Sequence, residues 1–369
     1  MKRNSSFAQI LRKKYAQPIC WLDDSTLVYY WRGKFVSIDV ESKSEKLIGN
    51  IKLNAKEKLL SFFSISRRLF RLYIFSPTFD YRKQEILFSF NGYFCSYNLK
   101  TNVFLREQLL DHGARRLLSI CFCKNGDVYY GEYPTKNDGT DVCIIRRNTN
   151  KEHSIVYRFE PGSIRHIHYV CEYGNDLFCF TGDENNETNI FQFKNKNFKT
   201  QPDCLLSGSQ DCRACVAMFN NGYLYYLTDN PYFENGLFAF DLKKSFLKQM
   251  FRIEGSVIYG LVSNNFLFFS TCVEYNLSKK KNNKNVILKI NGKIGGIRSN
   301  ESILYCFNCN ANQLIRLIKI KKDCLSIKYF GIGTFMFTCN NSSKYLAVFS
   351  QSLKINETLF IFDIQEANL

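Results

Sequence analysis

Short apolar runs, most of them introduced by a turn signal and followed by a strand of alternating pattern, recur along the whole chain. They begin at Leu27-Val28-Tyr29-Tyr30, Ile86-Leu87-Phe88, Val128-Tyr129-Tyr130 and Leu177-Phe178-Cys179-Phe180. They continue at Leu224-Tyr225-Tyr226-Leu227, Leu267-Phe268-Phe269, Ile303-Leu304-Tyr305-Cys306 and Leu346-Ala347-Val348-Phe349. The turn signals include Lys124-Asn125-Gly126-Asp127 and Asn220-Asn221-Gly222, and the alternating strands include Leu237-Phe238-Ala239-Phe240-Asp241. The spacing of roughly 40–50 residues is that of a four-stranded propeller blade. This predicts an all-β fold, a single β-propeller domain over residues 1–369 with seven or eight four-stranded blades. Eight copies suggest eight blades, and the long first gap, filled by irregular structure, would leave seven. The N-terminal segment at about residues 7–12 is expected to supply an outer strand to the last blade.

Composition agrees with strands: aromatics make up 16%, with 34 Phe and 22 Tyr. No apolar run approaches the roughly 20 residues that cross a bilayer. The first residues lack the apolar core of a secretory signal, and the expected location is cytoplasmic. The 15 cysteines are scattered through apolar runs and read as small hydrophobes. Two Cys-x-x-Cys pairs, Cys212/Cys215 and Cys306/Cys309, have zinc spacing, but each lies in or beside a predicted strand with no His at finger distance. The formal charge of +17 favours any polyanion. The run Lys279-Lys280-Lys281-Asn282-Asn283-Lys284 reads as a solvated loop between two strands of one blade, and nucleic acid is not an expected partner.

In a blade, the start of the first strand and the end of the second lie on the same face, so residues at those positions in neighbouring blades should converge. Three successive first strands open with Gly113-Ala114-Arg115-Arg116, Gly162-Ser163-Ile164-Arg165-His166-Ile167-His168 and Gly208-Ser209-Gln210-Asp211-Cys212-Arg213. The corresponding second strands end at Gly131-Glu132-Tyr133, Thr181-Gly182-Asp183 and Thr228-Asp229. Arg116, Arg165 and Arg213 could hold one anion bidentately, with Gln210 beside them. Glu132, Asp183 and Asp229 suit general acid or base work, or they orient the arginines. Strand alternation puts His166 and His168 on one face, with Arg165 on the other unless the strand start is twisted. A His pair binds a divalent metal or serves as a base; the metal is not the favoured reading, and no cofactor is expected. Each arginine has a plainer alternative as half of a structural ion pair between blades.

The ordered set Gly131-Glu132-Tyr133, Ile164-Arg165-His166-Ile167-His168, Thr181-Gly182-Asp183, Gly208-Ser209-Gln210 with Arg213-Ala214, and Thr228-Asp229 resembles sialidase-like β-propeller proteins with Asp-box repeats. Such proteins are often encoded among bacterial polysaccharide-assembly genes. The resemblance covers about residues 110–245 and implies a six- to eight-bladed propeller with a glycan-related role. The Asp-box is eroded: Asn195-Lys196-Asn197-Phe198-Lys199-Thr200 stands in its place, and no Tyr–Glu nucleophile pair can be assigned.

The expected function is a carbohydrate-active enzyme that handles an acidic oligo- or polysaccharide, as a glycoside hydrolase or a polysaccharide lyase. Hydrolysis would use two of Glu132, Asp183 and Asp229. Elimination from a uronate would use Arg116, Arg165 and Arg213 on the sugar carboxylate, with His166 or His168, and Tyr133, at the C5 proton. The alternative is a non-catalytic propeller that binds a glycan or scaffolds protein partners.

Overall fold

Each predicted apolar run forms a strand whose side chains are almost all buried on both faces. The computed structural model describes residues 8–135, 139–232, 234–274 and 299–364. Over them run seven four-stranded antiparallel sheets, the blades of an all-β, seven-bladed propeller. Blade 1 comprises Gln17–Trp21, Thr26–Trp31, Lys34–Asp39 and Glu45–Asn50; blade 2 comprises Phe75–Asp80, Glu85–Phe90, Tyr93–Asn98 and Val103–Leu109. Blade 3 is built from Ile120–Phe122, Val128–Gly131, Cys143–Arg147 and His153–Arg158, and blade 4 from Ile167–Tyr173, Asp176–Thr181, Asn189–Phe193 and Asp203–Ser207. Blade 5 has Ala214–Asn220, Tyr223–Thr228, Asn235–Asp241 and Phe246–Ile253; blade 6 has Val257–Ser263, Phe266–Thr271, Glu301–Asn308 and Gln313–Lys321. Blade 7 joins Thr334–Phe337, Tyr345–Gln351 and Thr358–Asp363 to the N-terminal strand Gln9–Lys14, which pairs Lys13 with Leu359.

The residues part into two compact units. One holds blades 1, 6 and 7, from Met1–Tyr73, Asn230–Asn235 and Phe251–Leu369; the other holds blades 2–5, from Ile74–Asp229 and Gly236–Met250. In the first, Phe268, Leu304 and Cys306 of blade 6 meet Leu346, Val348 and Phe360 of blade 7. In the second, Tyr129 and Ile144 of blade 3 meet Ile167, Leu177 and Cys179 of blade 4, and Phe178 and Phe180 meet Leu224, Tyr226 and Phe238 of blade 5. Each such side chain, fully buried, contributes roughly 1.5–3 kcal/mol. The outer strands, such as His153–Arg158, face solvent and are mostly exposed or half-buried.

One run changes the blade count from eight to seven. Ile303-Leu304-Tyr305-Cys306 does not begin a blade: it is the third strand of blade 6, paired with Phe266–Thr271. The long first gap holds two helices, α1 (Ala55–Phe62) and α2 (Ser64–Phe70), and a third, α3 (Ile327–Phe330), precedes blade 7. The Lys279–Lys284 run lies outside the described residues.

Candidate functional site

Within the second unit, the first strands of blades 2, 3, 4 and 5 adjoin one another in succession. The loops that lead into them are thereby gathered together. Two glycines of the sequence motifs are fixed by this crowding. A Cβ on Gly131 would lie 2.1 Å from Cγ2 of Ile167 in blade 4, so the second strand of blade 3 ends in glycine where any side chain would force Ile167 to shift. Gly182 has φ +109°, and a Cβ would meet the Glu187 carbonyl at 2.6 Å. Its N–H donates to the His166 carbonyl at 3.0 Å, which sets Asp183 opposite the start of the first strand of blade 4.

Asp183 is the hub. Its Oδ2 lies 3.0 Å from His166 Nδ1 and 3.4 Å from Arg165 Nη1, and its Oδ1 lies 3.2 Å from His168 Nε2 and 3.0 Å from Arg213 Nη2. Arg213 Nη2 also stands 3.3 Å from Asp229 Oδ2. Arg165 does not point away from the imidazoles as strict alternation predicts. It and His166 precede the strand Ile167–Tyr173, and the register shifts between Ile167 and Tyr169, so all three side chains reach one carboxylate. Burial works against the charge on Asp183, but His166, His168 and Arg213 outweigh it and hold the carboxyl far below the usual range.

The imidazoles differ. His166 Nε2 lies 2.8 Å from the Pro134 carbonyl, which only accepts, so Nε2 carries a hydrogen and Nδ1 faces Asp183. The Tyr133 ring stacks on His166 with centroids 4.0 Å apart. His168, 1% exposed, is pushed by burial to about 4 despite Asp183, so it is neutral near pH 7; its Nδ1 is buried with no hydrogen-bond partner.

Two overlapping groups could hold a metal ion: His166, His168 and Asp183, and His168, Cys215 and Asp229, with ligand atoms within 4.8 Å of one another in each. The anchoring of His166 through Nε2, with Nδ1 left facing Asp183, fits a metal-ligand role. Two imidazoles and a carboxylate suit a divalent transition metal.

The other predicted residues lie around this hub. Gln210 Nε2 donates to the Asp183 carbonyl at 2.9 Å and Arg213 Nη1 to the same oxygen at 3.0 Å, so both position Asp183 as well as edging the site. Glu132 Oε2 accepts from the Cys143 N–H at 2.7 Å; burial raises its carboxyl, with that bond opposing. Arg116 places its guanidinium 5.4 Å over the Phe75 ring, and its charge lowers the Tyr133 phenol that burial raises. Sequence reasoning read Cys215 as core, yet its Sγ is 3.8 Å from Asp229 Oδ2. The legible signal was its place at the start of a first strand, where Ala214 pairs with Thr228. Among the described residues, no group of three ligands includes both sulfurs of either Cys-x-x-Cys pair.

No protein-family model matches the chain, and no curated protein sequence matches it. Solved structures match in fold. An oligogalacturonate lyase in complex with manganese aligns over 98% of this chain and 95% of its own, at 8% identity and a TM-score of 0.55. The AfRom2 CNH domain aligns over 97% of this chain and 98% of its own, at 7% identity and a TM-score of 0.54. The extracellular domain of the one-component system BT4673 from B. thetaiotaomicron aligns over 97% of this chain and 40% of its own, at 10% identity and a TM-score of 0.56. This last likeness corrects the expectation of a cytoplasmic protein, because the same fold serves in an extracellular domain. No helix among the described residues is long and apolar enough to cross a membrane, which does not assign a compartment. The likeness is not specifically to the sialidase type; in fold, the chain is similar to propellers that include an oligogalacturonate lyase.

Proposed function

We propose that this chain is a carbohydrate-active propeller that cleaves an acidic, uronate-containing glycan by elimination at the Asp183 hub, with a divalent cation held by His166, His168 and Asp183. The observation that carries the reading is the convergence of two buried imidazoles and a carboxylate beside a guanidinium, that of Arg165, whose side chain is 37% exposed. The fold shared with a manganese-bound oligogalacturonate lyase supports it. Bound there, the cation would draw charge from the sugar carboxylate and so acidify the adjacent C5–H; the proton passes to a solvent water, the C4–O bond breaks as the C4=C5 double bond forms, and the departing oxygen takes its proton from solvent. Arg165 pairs with that carboxylate from the open side. Arg213, locked between Asp183 and Asp229, acts as a positioning residue. Tyr133, whose burial keeps the phenol protonated, covers His166. Elimination is favoured over hydrolysis because hydrolysis needs a carboxyl that is protonated near neutral pH. At the hub Asp183 is held ionised and donates no proton; Glu132, whose carboxyl burial raises, is the residue through which hydrolysis would have to run.

A second reading has its own observation. Asp183 already faces Arg165, Arg213 and both imidazoles, a neutralised network that needs no metal and suits a binding or scaffolding module. A thermal-shift titration with Mn2+ and Zn2+, paired with ultraviolet detection of unsaturated product from oligogalacturonates and other uronate oligomers, separates the two. The elimination reading expects a metal-dependent rise in Tm, lost in His168→Gln, and product formation abolished in Arg165→Ala. Absence of both metal stabilisation and product leaves the non-catalytic reading.

A further inference from the structure

We propose that the helical insert following blade 1 docks on an anionic lipid surface. An ordinary surface helix buries its apolar stripe and exposes its charges. Here the order is reversed. Glu57, Ser61, Arg67 and Arg68 are buried, the two arginines only 4% and 3% exposed. Leu59, Phe62, Phe63 and Ile65, by contrast, are each more than half exposed, and Leu69 and Phe70 of the same hairpin are also exposed. An apolar crest of this kind marks a surface meant to be covered.

The crest is presented rigidly. Asn54 and Glu57 form a reciprocal cap at the start of α1. Arg67 makes a two-pronged bond to Glu357, both distances 2.7 Å, and also donates to the Ser61 carbonyl at 2.6 Å. Arg68 Nη1 pairs with Asp323 Oδ2 at 2.6 Å, and Tyr73 donates to Glu357 at 2.9 Å. The buried charges fasten the hairpin, which leaves its apolar side chains outward with little ordering left to do on binding.

Charge selects the occupant. Lys52, Lys56 and Lys58 are exposed on the insert, and Lys328 lies beside the exposed Tyr329 on α3, which packs against α2. Arg32 adds a guanidinium 4.6 Å over the Phe62 ring. Between Lys52 and Tyr73 the only acid is Glu57, and it is buried. Aromatic and aliphatic side chains rimmed by cations, with no exposed acid among them, match the boundary between acyl chains and anionic headgroups.

The test sediments the full chain with vesicles of phosphatidylcholine alone and of phosphatidylcholine mixed with phosphatidylserine. Binding is expected only to the mixed vesicles and should weaken as salt rises. Phe62→Ser combined with Phe63→Ser should reduce partitioning at least about tenfold with Tm unchanged. Lys56→Gln with Lys58→Gln should reduce it about 25-fold, at about fivefold per lysine. Leu59→Trp should shift its emission to the blue on the mixed vesicles. Failure to sediment with either vesicle overturns the proposal, as does sedimentation that neither paired variant changes. Dimerisation of the wild type that the Phe62/Phe63 variant abolishes would also overturn it, by making a second copy the occupant.

Discussion

Replacing Arg147 with Met removes the buried guanidinium from a charge network of blades 2 and 3 and leaves it the half-buried Lys151, 2.5 Å from Glu85 Oε1. The guanidinium lies 2.5 Å and 2.7 Å from the two oxygens of Glu107 and 3.1 Å from Glu85, with all three side chains no more than 4% exposed. Glu107 also faces His153 Nε2 at 3.2 Å; that nitrogen donates, so His153 Nδ1 accepts from the Tyr130 hydroxyl at 2.9 Å. Burial works against the ionised Glu107, but Arg147 and His153 hold it down to about 2, from an ordinary 4.5. A fall of about 2.5 pKa units at about 1.36 kcal/mol each is worth about 3 kcal/mol. Removing one partner of a buried pair independently suggests about 3–5 kcal/mol. The expected loss is therefore about 3–4 kcal/mol at about pH 7, measured by urea denaturation of wild type and variant. The sign of the pH dependence is fixed: a depressed carboxyl contributes fully above about 4.5, and its contribution is lost as pH falls toward about 2. Without the arginine, the stranded carboxylates gain from protonation, so the deficit should shrink at about pH 4. Arg147→Met with Glu85→Gln and Glu107→Gln should recover much of the loss. A pH-independent loss under about 1 kcal/mol would refute the reasoning and place the network with exposed ion pairs.

Other tests follow from individual residues. Gly182→Ala, at φ +109° and against the Glu187 carbonyl, should cost roughly 1–3 kcal/mol in a denaturation curve and weaken any metal-dependent Tm shift by displacing Asp183. Glu357→Ala strands Arg67 and frees the hairpin, so limited proteolysis should cut within residues 55–70 much faster than in wild type. Of the 15 free thiols, Cys204 and Cys324 are exposed and should react first with a thiol reagent in native protein, while thiols such as Cys179, raised by burial, should react only on unfolding.

The blades were legible because each contributes a second strand buried on both faces, which the sequence writes as an uninterrupted apolar run. The same property misleads at Ile303. A third strand in blade 6 is equally buried, and the residues between Thr271 and Glu301 separate it from its partner by nearly a blade's length. The helices of the first gap left no clear amphipathic signature, because charged and apolar residues share the exposed side: Lys56, Lys58 and Leu59 are exposed together while Glu57, Arg67 and Arg68 are buried. At the site, Gly131 and Gly182 marked the turns correctly, since tight packing at those turns admits no side chain. The convergence of Arg165 with His166 was legible only as the exception to alternation that a twisted strand start allows, and the irregular register at Ile167–Tyr169 supplies it. The placement of Arg116 over Phe75 was not legible, because it depends on a strand some forty residues away.

Blade 7 imposes an order of events during synthesis. Its outer strand, Gln9–Lys14, is made roughly 350 residues before its partner Thr358–Asp363. At about 5–20 residues per second, the early strand waits on the order of 20–70 s for its hydrogen-bonding edge. Its own composition suits that wait. Arg12, Lys13 and Lys14 stand together in the strand and discourage pairing with other unfinished chains until the proper edge arrives.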